Sequence, residues 1–234
     1  MDSLQAKRSL GKYRNKPKAK VLQSFFKTAP GEYAHGDVFI GVTVPQTRKL
    51  ANQHQELPLN EIKKLLKSPI HEERLLALLI LNLKYSRSES KGRIKIFNFY
   101  LKHIKQVNNW DLVDLSAPKI IGAYLEAKKR TILYRLAKSK NLWQRRIAIV
   151  STFNFIRNND FRDTLKIATI LIKDKEDLIH KACGWMLREV GKRNLAIEER
   201  FLKKYSSIMP RTMLRYAIER FPEKKRKHYL KNLL

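Results

Sequence analysis

A single cysteine, Cys183, leaves the sequence no partner for an intrachain disulfide and no thiolates for a four-cysteine metal site. Eight glycines and eight prolines in 234 residues supply few turn-formers and few helix breakers. The longest unbroken apolar run, "LLALLIL" at 75–81, falls far short of the roughly 20 residues that cross a bilayer. The opening stretch "MDSLQAKRSLGKYRNKPKAK" has no apolar centre of the kind a secretory signal carries. These absences lead us to expect a reducing, cytoplasmic setting and no membrane partner. The histidines, His35, His54, His71, His103, His180 and His228, include no pair at i, i+3 or i+4, so no local zinc motif is present. Phosphate-binding glycine fingerprints and a nucleophile elbow are also missing. We therefore expect no metal and no cofactor, and we read Cys183, beside Gly184 on a helix, as a packing residue.

Acidic residues are scarce: 21 Asp and Glu stand against 50 Lys and Arg, for a formal net charge of +29. With 43% hydrophobic and 30% charged residues the chain has the composition of a folded protein, so this charge sits on a structured surface. Self-repulsion on that scale works against compactness, and solubility needs a net charge of only about 2 to 8 in a small domain. A polyanionic partner is implied, with nucleic acid first among the candidates.

Apolar residues recur at three- and four-residue spacing, which predicts a nearly all-helical chain. "ERLLALLILNLKY" is too densely apolar for a surface helix, whereas "RIKIFNFYLKHI", "RTILYRLAKS", "TLKIATILIK" and "LAIEERFLKKY" are amphipathic. One segment departs from the pattern. "PGEYAHGDVFIGVTVPQ" contains the alternation "VFIGVTV", which predicts a loop or a small β-hairpin near residues 30–44.

A longer period is also present. "RLLALLI" from Arg74, "WDLVDLS" from Trp110, "RIAIVST" from Arg146 and "KACGWML" from Lys181 begin 35 or 36 residues apart, and "RTMLRYAI" from Arg211 continues the series more loosely. Equivalent helices at this spacing predict an α-solenoid, a superhelix of about six helix pairs, whose repeat-heading helices line one concave wall. We expect residues 1–19 to form a basic N-terminal segment, helical or partly disordered, and residues 20–234 to form a single repeat domain.

Helical spacing then groups polar side chains on that wall. Trp143 and Arg146 lie three apart, with Arg145 beside them; Lys181, Trp185 and Arg188 follow i, i+4, i+7; Arg211 and Arg215 follow i, i+4. Cations and indole faces together suit a sugar-phosphate backbone, although core is the default place for a helical tryptophan and each cation could be part of a solvated face. Trp110 and Asp114 make the corresponding stripe in the middle repeat. Asp111, near a helix start, is accounted for by the helix dipole and is given no catalytic role. Asp114 lies one turn further in, where the dipole helps little. A carboxylate there repels phosphates, yet it would stabilise the oxocarbenium-like sugar formed when an N-glycosidic bond breaks. An ion pair with a neighbouring repeat is the structural alternative.

Five blocks in register, "GDVFIGVTVPQTRKLA", "NNWDLVDLSAP", "NLWQRRIAIV", "IHKACGWMLREVGK" and "MPRTMLRYAIERF", resemble the bacterial DNA alkylation-repair glycosylases built of HEAT-like repeats. The resemblance implies an all-α solenoid that grips duplex DNA on a basic concave face. It also implies hydrolysis of the glycosidic bond of N3- or N7-alkylated purines, without rotation of the base into a pocket. By position, Asp114 matches the catalytic carboxylate, Trp110 and Trp185 the aromatic residues flanking the deoxyribose, and Arg146 an arginine that contacts phosphate. Arg145, Trp143, Lys181, Arg188, Arg211 and Arg215 complete the expected DNA-binding set. The sequence departs from the active branch in having Phe25 or Phe26 where that branch has tyrosine, and Asn109 before Trp110 where it has a second tryptophan. Non-catalytic relatives that prefer branched DNA and use a protruding hairpin supply the alternative reading, with residues 30–44 as the hairpin. The expected protein is a monomer associated with the nucleoid of a bacterium.

Overall fold

The computed structural model describes residues 2–231. The chain divides into two compact units, Met1–Ile120 and Ile121–Leu234. Both are built of helices, and the described residues contain no sheet, in agreement with the all-α expectation. No helix among them is long and apolar enough to cross a membrane.

In the first unit the helices are α1 (Ser3–Gly11), α2 (Lys16–Phe25), α3 (Val44–Gln53), α4 (Leu59–Leu66), α5 (His71–Arg87), α6 (Ser90–Lys102) and α7 (Trp110–Ala117). The densely apolar α5 is the centre of this unit and packs against α3, α4, α6 and α7, with α1 resting on α3 and α4. Every residue of α5 from His71 to Asn82 is buried, which accounts for its lack of an amphipathic face. The polar residues of its first turn are buried with it and are used. Glu73 pairs with Lys7 of α1 at 2.8 Å, and Glu72 closes the loop that precedes α3.

Of the loop or small β-hairpin expected near residues 30–44, the structure has the loop, and the hairpin is corrected. Residues 26–36 form a series of turns, residues 37–43 are irregular, and the only extended pairing among the described residues is one parallel bridge between Val38 and Ile70. The alternation of "VFIGVTV" has no partner strand to satisfy it. The Val38 N–H donates to the Pro69 carbonyl, while the N–H groups of Ile40, Gly41 and Val42 converge on the Glu72 carboxylate at 2.8–3.2 Å. One buried anion thus does what a strand edge would have done. Gly41 allows it: its φ is +84°, and a Cβ there would run into the Asn15 carbonyl.

The second unit contains α8 (Ala123–Leu125), α9 (Thr131–Ala137), α10 (Leu142–Ser151), α11 (Phe153–Arg157), α12 (Arg162–Ile170), α13 (Asp177–Arg193), α14 (Leu195–Tyr205), α15 (Arg211–Ala217) and α16 (Glu223–Lys231). Here α13 is central, packed against α10, α11, α12, α14 and α15. Gly184 lets α15 approach it closely, since a Cβ at that position would meet the Met213 carbonyl and lie 2.5 Å from Tyr216 Cβ. Cys183 is buried beside it, as expected of a packing residue.

The sequence period has a structural counterpart within each unit. Arg74, Trp110, Arg146, Lys181 and Arg211 all fall in the first two turns of their helices, α5, α7, α10, α13 and α15. In the first unit α5 touches α7, and in the second α13 touches both α10 and α15.

Candidate functional site

Helix α7 is short, and its start is fixed by side chains rather than by length. Asn109 is fully buried, and its Oδ1 accepts from the Trp110 N–H at 2.8 Å while its Nδ2 donates to Asp37 at 3.2 Å. Asp111 accepts from the Leu112 N–H with one oxygen and meets His71 Nε2 with the other, each at 2.8 Å. The opposite ring nitrogen of His71 faces Asp37 at 3.3 Å, and Asp37 receives Arg74 at 2.6 Å. Both contacts of the imidazole are to carboxylates, so both nitrogens must carry protons and the ring is an imidazolium. Two acids and two cations therefore balance in a buried cluster, and His71 is only 1% exposed.

Burial works against the charge on His71, but Asp111 and Asp37 outweigh it and raise its pKa above the ordinary 6.5. Burial likewise opposes ionisation of Asp37, yet the hydrogen bond from His71 and the charge of Arg74 hold its pKa below 3.8. Asp111 is thus a clamp residue, with a partner 40 positions away in sequence. No spacing rule in the sequence pairs it with His71.

An aromatic stack runs from the clamp to the surface. The His71 ring lies on Phe39 at 4.4 Å, Phe39 on Phe26 at 4.8 Å, and Phe26 stacks nearly parallel on Trp110 at 5.0 Å. Phe25 meets Trp110 edge-on at 6.0 Å and is itself 63% exposed. Trp110 is therefore not a core residue: its ring is half-buried, held from below by Phe26 and flanked by an open Phe25. One turn on, Asp114 is also half-buried. Its charge reaches the buried Tyr100 phenol, whose pKa is raised first by burial and further by Asp114, against the hydrogen bond to Ser116. Beyond α7, Pro118 has no N–H for the Asp114 carbonyl, and the chain turns through a π-helical segment at residues 118–122.

Basic residues surround this end of the first unit. No residue of α2 is buried, and Lys16, Lys18, Lys20 and the following Lys27 are exposed. Phe25, at the last turn of α2, joins this lysine-rich helix to the Trp110 ring. The sequence reading named Phe25 or Phe26 only as a departure from the active branch and did not place the lysines of α2 beside Trp110; their density ahead of the "FF" pair was the signal.

In the second unit the expected residues separate into two groups. Trp143 is 7% exposed and Arg146 5%, with Arg146 donating to the Leu178 carbonyl. Arg145 is held by Asp174 through Nε at 2.6 Å and Nη2 at 3.1 Å, and donates to the Ser139 and Lys140 carbonyls as well. These three side chains face inward and brace α10. Arg188 is ion-paired with Glu219. By contrast, Arg211 and Arg215 are exposed, and Lys181 is partly exposed while paired with Asp177 at 2.7 Å. Trp185 is half-buried beside Phe153, and its indole N–H donates to Glu189 at 3.2 Å.

Comparison with known proteins agrees with this arrangement of helices. No curated protein matches the chain. A solved structure, a predicted DNA alkylation repair enzyme from Enterococcus faecalis, superposes with a TM-score of 0.69 at 19% identity, covering 90% of this chain and 97% of that one. Its likeness shows the shared fold. The family described as DNA alkylation repair enzyme matches residues 6–221, a span that contains α7, the His71 clamp and nearly every helix of both units. The chain belongs to the DNA alkylation repair enzyme family.

Proposed function

We propose that this member of a DNA repair family is a monofunctional glycosylase that hydrolyses the bond between deoxyribose and an N3- or N7-alkylated purine in duplex DNA. The observation that carries the reading is the pairing of Trp110 and Asp114, one turn apart on a helix whose start is clamped by buried charges. An N3- or N7-alkylated purine is cationic, so the base leaves with the bonding electrons as a neutral molecule and needs no general acid. The positive charge passes to the sugar. Asp114 faces that charge and orients the water whose oxygen bonds to the anomeric carbon as a proton is lost to the carboxylate or to solvent. The indole of Trp110 packs on the deoxyribose and adds cation–π stabilisation.

Phosphates would be held by the exposed lysines of α2 beside Trp110, and by Lys181, Arg211 and Arg215 of the second unit. Arg145, Arg146 and Trp143 would act indirectly, by fixing α10. The branched-DNA alternative invoked a protruding hairpin at residues 30–44; the segment is no hairpin, and its second half, Val38 to Val42, is tied down by Pro69 and Glu72.

Leaving-group chemistry provides the test. Duplexes carrying N7-methylguanine or N3-methyladenine should yield free base and an abasic site, while a duplex carrying the neutral O6-methylguanine should yield neither. Equal release from the neutral adduct would require an acid catalyst and would overturn the reading that the leaving base needs none.

A further inference from the structure

Helices α12 and α14 of the second unit, both packed on α13, line a groove of about 550 Å³. Its lining follows the same pattern on both sides. On α12, Arg162 and Lys166 stand one turn apart with Leu165 and Thr169 between and beyond them; on α14, Arg200 and Lys204 do the same with Ile197 and Phe201. All four cations are exposed. Leu165, Ile197 and Phe201 form an apolar floor between two rails of positive charge, and Tyr205, hydrogen-bonded to Thr169, closes one end. Asp160, the acid at the other end, is already paired with Arg130 at 2.6 Å.

We infer that this groove is a docking site for an amphipathic helix of a partner protein, apolar along one stripe and acidic along both flanks of that stripe. Each wall turns one helical face to the groove, Arg162, Leu165, Lys166 and Thr169 on α12 and Ile197, Arg200, Phe201 and Lys204 on α14, so an occupant with one apolar stripe between charged flanks matches both. Two walls of 9 and 11 residues accommodate about three turns of such a helix. Charge complementarity selects the flanks: the rim is cationic on both sides, and acids there would speed encounter and exclude basic partners. A nucleic-acid strand, whose phosphates would meet the same rails, is the competing occupant that the DNA probe below tests. A second copy of this chain, with 50 cations and 21 acids, carries the wrong charge.

The test uses the full-length protein and a fluorescein-labelled peptide of about fourteen residues, with Leu and Phe at i, i+3, i+4 and i+7 and Glu on both sides. Binding is read by fluorescence anisotropy at physiological salt. Three further probes are a scrambled peptide of identical composition, a fluorescent DNA duplex and vesicles rich in anionic lipid. The expected result is saturable binding of the patterned peptide at least about tenfold tighter than the scrambled one. K166E/K204E should lose about tenfold or more of that affinity, whereas K173E/K203E, with the same charge change at exposed positions outside the groove, should lose much less. Both variants should keep the helical circular dichroism of the parent protein and bind the DNA duplex with similarly reduced affinity. Equal binding of the scrambled peptide, equal losses in the two variants, or a selective loss of DNA or vesicle binding in K166E/K204E would each overturn the proposal.

Discussion

Asp114→Asn is expected to release free alkylated purine at least about a hundredfold more slowly than the wild-type protein, while binding duplex DNA as tightly or more tightly. The substitution removes one negative charge at nearly constant size. If the carboxylate acts only on the sugar cation, its loss is felt in the transition state and the turnover number falls. In the ground state the same charge repels the phosphates, so affinity should hold or rise. Single-turnover excision and equilibrium binding on one methylated duplex separate the two effects. A structural role for Asp114 predicts the reverse pattern: a lower melting temperature and weaker binding, with excision unchanged once the protein is saturated with DNA.

His71→Ala is expected to cost about 3–5 kcal/mol of stability. It removes the imidazolium that both Asp37 and Asp111 face, and leaves Asp111 buried without its cation. Thermal or denaturant melting measures the loss. The pH dependence identifies the cause. Because folding raises the pKa of His71, its contribution is fully present below the ordinary value of 6.5 and disappears as pH rises through the higher folded value. Folding lowers the pKa of Asp37, so its contribution is present above 3.8 and disappears as pH falls through the lower folded value. The clamp is therefore strongest in mildly acid solution between those two limits. The stability gap between wild type and His71→Ala should narrow as the solution is made alkaline, whereas a purely steric role would keep it constant. Since the clamp sets the start of α7, excision should fall with it even where the variant remains folded.

The sequence revealed more of the architecture than of the site. Apolar spacing was enough for an all-α chain, because each helix carries its own periodic signal. The recurrence of Arg74, Trp110, Arg146, Lys181 and Arg211 was enough to find helices that prove to be neighbours within each unit. Helical spacing also grouped Trp143 with Arg146, but it fixes only which residues share a face. Whether that face is open depends on what packs against it, and both side chains are buried. Arg145 illustrates a second limit: its partner Asp174 lies 29 residues on, in a connector whose acids gave no sign of what they hold. The "VFIGVTV" alternation failed for a third reason, since a strand needs an edge to pair with, and Glu72 took its N–H groups instead. His71, Asp37 and Asp111 stayed hidden because a buried charge network is defined by long-range contacts. The "HEER" that opens α5 was the one local hint, four charged or titratable residues in the first turn of a helix that is buried through Asn82.

Chromatographic and mass-spectrometric identification of the bases freed from methylated genomic DNA tests the proposed chemistry most directly. The wild-type protein should liberate 3-methyladenine and 7-methylguanine and leave abasic sites in the duplex. Tight binding of the same DNA with no purine in solution would contradict it and make the protein a binder rather than a hydrolase.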